Sequence, residues 1–549
     1  DREFGLGNLS GKVEMDMFGG LTKTSSRIAI AAALGMTLGG FAMSATPAKA
    51  ADLGGDCCAD LEERVAELEA TTVRKGNKKV SVTLSGWVVK LGSWWDDGHE
   101  TNFYVGDKDT TLSSHFQMSG SAVIAPGWSG GYTIAVETAG TSCSVGFVEN
   151  QFNDNACLFG DINTLLSYMW LKSDRWGTIN WGQLSQATDN VALLPDLSGT
   201  VIESNAVVFD GAGMFIRPNG AKNSNDMNAG IKWAQVLTCN TNGGGLGADC
   251  NGYPQNAFRY DTPTWWGFSV STSYGEDDMW DVAVKYAADW NSVKFSAAAG
   301  YTQLTDEGCS APGAFHGGRT CSNVAVVGGG GAPFQNYRQD GQLFQVGASI
   351  LHVPSGLFAY GLYQNDQEDG TQIRNVAFHK GAFVGQDSAA NESTTWFVKA
   401  GIKRAWLPMG ASVFWGEWGQ YNDMFRGLCG NAPGDPNSFG NSVCENFIPT
   451  GVVGSGPNKG VALVTDSIIT GSEVDRWGIG FVQEIDSAAM HLFARWQHLE
   501  LNSLTAKDLG VTCVGGGTDG CFANGHFGKD VSAGFQDLDI FQVGGVIFF

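Results

Sequence analysis

The stretch 537–549, Asp-Leu-Asp-Ile-Phe-Gln-Val-Gly-Gly-Val-Ile-Phe-Phe, constrains the chain more than any other. Successive side chains of an extended strand point to opposite sides, so Phe541, Val543, Gly545, Ile547 and Phe549 share one face and Gln542, Gly544 and Val546 the other. In an open sheet such a strand would be a long, apolar, unpaired edge, which soluble proteins avoid. Ending on an aromatic residue, it is expected to have its last backbone groups paired. If the partner is the first strand, the sheet closes on itself and every backbone group is satisfied even in lipid. The expected fold is therefore all-β, a transmembrane barrel.

Composition agrees with one large β-domain: the chain has 77 Gly, 18 Trp and 32 Phe, and only 16% charged residues. A net charge of −23 and a pI near 4.6 exclude the basic surface that nucleic acid requires. Near the start, Lys23 and Arg27 precede an apolar run at 28–41, and Ala48-Lys49-Ala50 supplies a small-x-small cleavage site. This predicts a secretory signal peptide ending at Ala50, with initiation at Met15 or Met17 and 1–14 as upstream sequence. The run is too short to span a bilayer as a helix, and no later window of about 20 apolar residues exists.

Residues 51–79 differ in character. Leu61, Val65, Leu68 and Thr72 recur at heptad spacing among Glu62, Glu63, Arg64, Glu67 and Glu69. The expectation is a short periplasmic helix, either a coiled coil joining subunits or a helix folded against its own barrel. At Val80 the period switches to two. Val80, Val82 and Leu84 alternate with Ser81, Thr83 and Ser85, the lipid-out, water-in pattern of a barrel strand. The same pattern predicts strands at 80–95, 113–124, 129–138, 164–173, 176–184, 256–261, 268–275, 279–287, 292–305, 343–353, 357–366, 393–404, 411–424, 472–485, 489–501 and 537–549, sixteen in all. The chain thus divides into 1–50, 51–79 and a barrel from 80 to 549.

Connections alternate in length. The short ones include Ala125-Pro-Gly-Trp, Ser173-Asp-Arg-Trp-Gly, Thr262-Pro-Thr-Trp-Trp-Gly, Ala288-Asp-Trp-Asn, Val353-Pro-Ser-Gly, Trp406-Leu-Pro-Met-Gly and Asp486-Ser-Ala, and most carry Trp. Trp at one end of alternate strands reads as an aromatic girdle at one lipid interface, with the short turns periplasmic and the long Gly- and Asn-rich loops outside. The cysteines after 58 fall in pairs within single long loops: Cys143 with Cys157, Cys239 with Cys250, Cys309 with Cys321, Cys429 with Cys444, and Cys513 with Cys521. In an oxidising location these are expected to be local disulfides that restrain outer loops, with none in a strand. They lack the spacing of a zinc site. The adjacent Cys57 and Cys58 are expected to bridge to partners rather than to each other, since vicinal bridges are strained.

The run Asp60-Leu-Glu-Glu-Arg-Val-Ala-Glu-Leu-Glu-Ala-Thr-Thr-Val-Arg-Lys-Gly-Asn-Lys-Lys-Val-Ser-Val-Thr-Leu-Ser-Gly-Trp87, with Asp174-Arg-Trp-Gly, Trp181-Gly-Gln, Asp196-Leu-Ser-Gly-Thr and the final Phe549, resembles the rhizobial-type general porins of the alphaproteobacterial outer membrane. The resemblance covers essentially all of the chain after residue 50. It implies a sixteen-stranded barrel in outer-membrane lipid and lipopolysaccharide, a homotrimer, and passage of small hydrophilic solutes and ions, with no cofactor. The loop cysteine pairs depart from that family's pattern.

The longest interruption, 185–255, opens with Val191, Leu193, Leu194, Leu197, Val201, Ile202, Val207, Val208 and Phe209 set among Asp189, Asp196, Glu203 and Asp210. Apolar loop residues need a surface to bury against, and the inner wall of the barrel supplies one. The first part is therefore expected to fold inward and narrow the pore, as the third loop does in that family, with an acidic side. Strand parity points Arg259, Lys285, Lys294, Lys399 and Arg495 into the lumen, away from Phe258, Val284, Phe295, Val398 and Trp496, as a facing basic wall.

Other motifs carry no chemistry. Gly127-Trp-Ser-Gly-Gly fits G-x-S-x-G but lies in a Pro-Gly turn, not on a strand-to-helix elbow, so no hydrolase is expected. Gly244-Gly-Leu-Gly-Ala-Asp249 is one unrepeated turn of a calcium-binding β-roll. The histidines are scattered and form no metal site. Besides a diffusion channel, two alternatives remain: a barrel phospholipase with a lipid-facing Ser and His, and a structural or adhesive barrel anchoring disulfide-held surface loops.

Overall fold

A computed structural model describes residues 80–108, 112–138, 151, 162–217, 219, 232–237, 239, 247–251, 254–275, 278–305, 315–316, 319–320, 340–369, 376–379, 382–385, 392–424, 446–452, 462–514, 522–523, 525–526, 528–532 and 534–549. Sixteen strands form one closed antiparallel barrel. The first eight are β1 (Ser81–Asp96), β2 (His115–Ala125), β3 (Trp128–Thr138), β4 (Ile162–Ser173), β5 (Gly177–Leu184), β6 (Gln255–Asp261), β7 (Phe268–Gly275) and β8 (Trp280–Trp290). The rest are β9 (Val293–Leu304), β10 (Asp340–His352), β11 (Leu357–Asp369), β12 (Glu392–Leu407), β13 (Gly410–Asn422), β14 (Ala462–Ile485), β15 (Met490–Val514) and β16 (Leu538–Phe548). All sixteen strands expected from the period-two pattern are present, with most ends shifted by a few residues and with β14 and β15 extended well beyond the expected 472 and 501.

Closure is made by β16 on β1, from Trp87 opposite Phe548 to Asp96 opposite Asp539. Gly86 and Phe549 exchange backbone hydrogen bonds of 2.9 and 3.1 Å just below. The two faces of β16 part as their side chains dictate. Phe541, Val543, Ile547 and Phe549 are 44 to 55% exposed, whereas Gln542 and Val546 are buried. Outward apolar residues continue around the wall, among them Leu84, Val284, Ile350, Val398 and Ile479. The hairpin turns carry exposed Trp128, Trp176, Trp265, Trp266, Trp290 and Trp406 at one end of the barrel. An aromatic ring there sits where hydrocarbon gives way to headgroups.

The inner face differs from the expected wet lining. On β1 the residues that point inward above Ser85 are Trp87, Val89 and Leu91, all buried, and they join one apolar cluster with Phe358, Trp415, Phe493 and Val546 from other strands. Period-two alternation separates the two faces of a strand but not what covers the inner one. Here the cover is protein. The wall is also broken beside β1. Its upper half pairs with a short strand, Thr101–Gly106, and its lower half with β2. Between them Ser114 Oγ, not a backbone group, accepts from Val89 N at 3.0 Å. This local break in the ladder turns Lys108, 1% exposed, into the interior.

Strands β14 and β15, of 24 and 25 residues, run far past the 9–11 residues needed to cross a bilayer. Cys513 lies in that extension, opposite Val464, and so is in a strand and not a loop as expected. The longer hairpin forms because its two chains keep pairing beyond the membrane. The helix and coiled coil expected at 59–73, and Cys57, Cys58, Cys143, Cys157, Cys309, Cys321, Cys429, Cys444 and Cys521, lie outside the described residues.

A lysine placed at Val543, in the middle of the outward face of β16, should destabilise the barrel by about 2–4 kcal/mol, and one at Ile547, near the interface, by roughly 0–1 kcal/mol. Urea-unfolding midpoints in lipid vesicles read the difference. Equal effects at both positions would contradict the placement of this face in lipid.

Candidate functional site

The segment that leaves β5 at Ser185 meets the inward-pointing side chains of the wall strand by strand. Arg259 of β6 donates to Ser185 O (3.0 Å), Ser273 of β7 accepts from Ala187 N (2.7 Å), and Asp281 of β8 accepts from Thr188 N (2.8 Å). Gln345 of β10 donates to Thr188 O (3.0 Å) and Tyr360 of β11 to Ala192 O (2.7 Å). Further along, Lys399 of β12 reaches Ser204 O (2.8 Å), Arg476 of β14 reaches Asn205 O (2.7 Å), and Arg495 of β15 reaches Glu203 O (2.9 Å). Each contact takes a backbone group that the irregular segment cannot pair within itself.

Apolar burial holds the segment to the same surface. Val191, Leu193, Leu194, Leu197, Ile202, Val207 and Val208 are all buried in clusters that include wall residues, at roughly 1.5–3 kcal/mol per fully buried side chain. Two wall glycines make room for it. A Cβ on Gly347 would lie 2.0 Å from Ala192 O, and one on Gly300 would lie 2.7 Å from the Thr188 side chain.

Asp196 and Asp210 are paired with cations at contact distance, and Glu203 with a histidine, instead of facing a basic wall across a gap. Asp196 lies 2.5 Å from Lys399 Nζ, and Asp210 lies 2.8 Å from Lys108 Nζ and also takes the Arg495 guanidinium. Glu203 Oε1 sits 2.6 Å from His491 Nδ1. Burial drives this pairing, since an uncompensated charge in a dry interior costs several kcal/mol. The expected pair of opposed walls is corrected in that respect. Of the five cations that parity assigned inward, Arg259, Lys285, Lys399 and Arg495 are buried. Lys285 lies 3.4 Å from Ser271 Oγ, and Arg259 pairs with Asp261 at 2.7 Å. Lys294 shares the inner face of β9 with buried Ser296 but lies one residue from the turn end, opposite Asp289, away from the segment. Asp189 is hydrogen-bonded by Asn190 Nδ2 at 2.7 Å and lies beside Asp249.

Sequence reasoning did not assign Arg476, Glu417, Lys108 or His491 to this network. Arg476 and Glu417 form a 2.5 Å ion pair beneath Ser204, and Glu417 also accepts from Ser204 Oγ. Parity on β14 could have found Arg476, as it found Arg495. Lys108 and His491 carried no such signal, because one sits at a break in the ladder and the other looks like any strand histidine.

Burial, and then Arg495, lower the Lys108 ammonium to about 8 against the pull of Asp210. Burial raises the Asp249 carboxyl to about 7, partly offset by the Asn190 N–H, and burial with neighbouring Asp249 holds Asp189 well above the usual range. Burial also works against ionised Glu203 and Asp210. There the adjacent His491, and Lys108 with Arg495, win and keep both carboxyls low.

The expected disulfide Cys239–Cys250 is present, with Cα atoms 5.4 Å apart. Both cysteines are 1% exposed, in a cluster with Leu343, Tyr360 and Phe397 of the wall. This corrects the expectation of an outer-loop restraint: the apolar sequence around the bridge buries it inside the barrel.

Comparison with known proteins yields several solved structures. An anion-selective porin from Comamonas acidovorans is 14% identical, with 86% of this chain and 100% of that chain covered and a TM-score of 0.44. OmpF of Salmonella typhi, solved with daunomycin, is 12% identical over 86% of this chain and 99% of that one, with a TM-score of 0.39. OprB of Pseudomonas putida is 9% identical over 89% and 97%, with a TM-score of 0.38. No curated protein matches the chain. The Gram-negative porin family profile matches residues 29–403, more than half of the sequence. On that match and a closed sixteen-stranded wall, the chain belongs to the Gram-negative porin family and is an outer-membrane channel for passive diffusion.

Proposed function

We propose that residues 185–217 form the inward constriction of this channel, which passes small hydrophilic solutes and ions. Asp189, Asp196, Glu203 and Asp210 set the charge of the passage against Arg259, Lys285, Lys399 and Arg495 of the wall, with Lys294 nearer the turn end. The observation that carries this reading is the run of contacts from Arg259 on β6 to Arg495 on β15, all made by side chains opposite the lipid-facing set. A segment bonded to so many strands from one side occupies the cross-section those strands enclose. Because Asp196 and Asp210 are neutralised by paired cations, selectivity depends on small imbalances within the network and not on a bare acidic ring.

In this reading the Trp-bearing turns lie in the periplasm and the long connections outside, and residues 51–79 are periplasmic. The finer kinship with rhizobial-type porins rests on the junction at 60–87. A homotrimer follows from that kinship, and the outer surface supports it. Lys90 points outward from β1 with its side chain 51% exposed, paired with Asp107 at 2.6 Å. Toward bare lipid a lysine at mid-depth costs about 2–4 kcal/mol, a cost that a neighbouring subunit removes.

Single-channel recording of the refolded protein should show water-filled conductance that closes in three steps. Replacing Asp196 and Glu203 by Asn and Gln should shift the zero-current potential in a salt gradient toward anion preference, by freeing Lys399 and the His491 region of their counter-charges. An unchanged potential would remove this segment from the selectivity filter.

The titrations give a sign. Between about pH 6 and pH 9, Asp249 loses its proton near 7 and Lys108 loses its own near 8, and each step makes the passage more negative. Cation preference should therefore rise with pH, and the step near 8 should vanish in Lys108→Met. A potential that is flat over this range, or that moves the other way, contradicts the assignment.

A further inference from the structure

A second stretch of the same insertion packs on the first. Trp233–Val236 forms one tight 3-10 turn, with Trp233 N donating to Met214 O at 3.0 Å and Ala234 N to Ala212 O at 2.7 Å. Gly247 N donates to Leu237 O at 2.8 Å, and the Cys239–Cys250 bridge closes the stretch between them. On its other side the stretch meets the wall. Gln364 of β11 donates to Gly247 O at 2.9 Å and accepts from Cys250 N at 3.4 Å, and Thr395 of β12 donates to Gly247 O at 3.4 Å. Gly247 has φ +60, and a Cβ there would come within 2.9 Å of the Tyr421 ring. Trp233, Val236, Leu237, Ala248 and both cysteines belong to one buried cluster with Leu362, Phe397 and Tyr421.

A bridge that stiffens a surface loop belongs at the rim, where the loop meets water. This one lies between the inner wall and the 185–217 segment. There it can only fix how much of the cross-section is filled.

We infer that the Cys239–Cys250 bridge clamps residues 232–237, 239 and 247–251 as a second layer over the constriction, and that this layer sets the size limit of the channel. The inference rests on the diffusion-channel reading. Without the cross-link, apolar burial still holds Trp233, Val236 and Leu237, but the Gly247–Cys250 end is left to its few wall bonds and regains conformational freedom that the bridge denies it. The layer lifts, and the passage widens.

The test uses the full chain in planar bilayers, wild type beside the Cys239→Ser/Cys250→Ser double variant, with polyethylene glycols of graded mass as size probes. Conductance should rise at least about two-fold, and larger polymers should enter. An unchanged conductance and cut-off, in a variant that keeps the heat-modifiable mobility of a folded barrel, overturns the inference. If the double variant does not fold, Gln364→Leu decides. It leaves the bridge intact and removes the Gln364 bonds that seat the layer on β11, with only the Thr395 bond to Gly247 O left on that side, so it should loosen the same layer and raise the cut-off in the same direction, and no change there overturns the inference. A wild-type protein that carries no current at all overturns the channel reading instead, an outcome distinct from a channel of unaltered bore.

Discussion

The absence of water in the bilayer core governs this structure. Each backbone N–H or C=O left unpaired there costs several kcal/mol, so a sheet can cross only if it has no edge. The seam between β16 and β1 satisfies that condition, and the alternation on β16 then follows. With one side of the seam against hydrocarbon, Phe541, Val543 and Ile547 must point out, and Gln542 and Val546 must point in. Lys90 apart, the charged side chains of the wall at membrane depth are thereby turned inside. This concentrates Lys399, Arg476, Arg495, Glu417 and their neighbours in a volume too small to hydrate them all.

The 185–217 segment resolves the crowding it helps to create. Its carboxylates and carbonyls are what the wall cations bond, and its leucines and valines cover what would otherwise be an exposed apolar inner face on β1, β11 and β13. Burying charges in pairs gains little net stability compared with apolar packing. What the pairs fix is position. Asp210 sits between Lys108 and Arg495, and Lys399 between Asp196 and Ser204 O, so the segment has one register on the wall. Register is what a passage of defined charge requires.

Much of the wall was legible in the sequence, because lipid imposes a period of two and short turns, most of them bearing Trp, mark where hairpins reverse. Parity on single strands likewise placed Arg259, Lys285, Lys399 and Arg495 inward. Illegible features arose where the regular ladder fails or where contact is long-range. Lys108 enters at a break between Thr101–Gly106 and β2 that no periodicity announces. Gly300 and Gly347 read as ordinary small strand residues until the segment is seen to pass over them. The direct pairing of Asp196 with Lys399 joins residues about two hundred positions apart.

The placement of the cystine shows the same limit from another side. In sequence, Cys239 and Cys250 look like every other close cysteine pair in a loop between strands, and nothing local distinguishes a rim from an interior. What decides is the apolar content around them: Trp233, Val236, Leu237 and Ala248 cannot stay in water while the inner wall offers Leu362, Phe397 and Tyr421. The reasoning from apolar loop residues that applied to 185–217 applied to Trp233, Val236, Leu237 and Ala248 as well. A loop's burial is fixed by its apolar residues before its cysteines, and a disulfide then locks the loop wherever those residues have taken it.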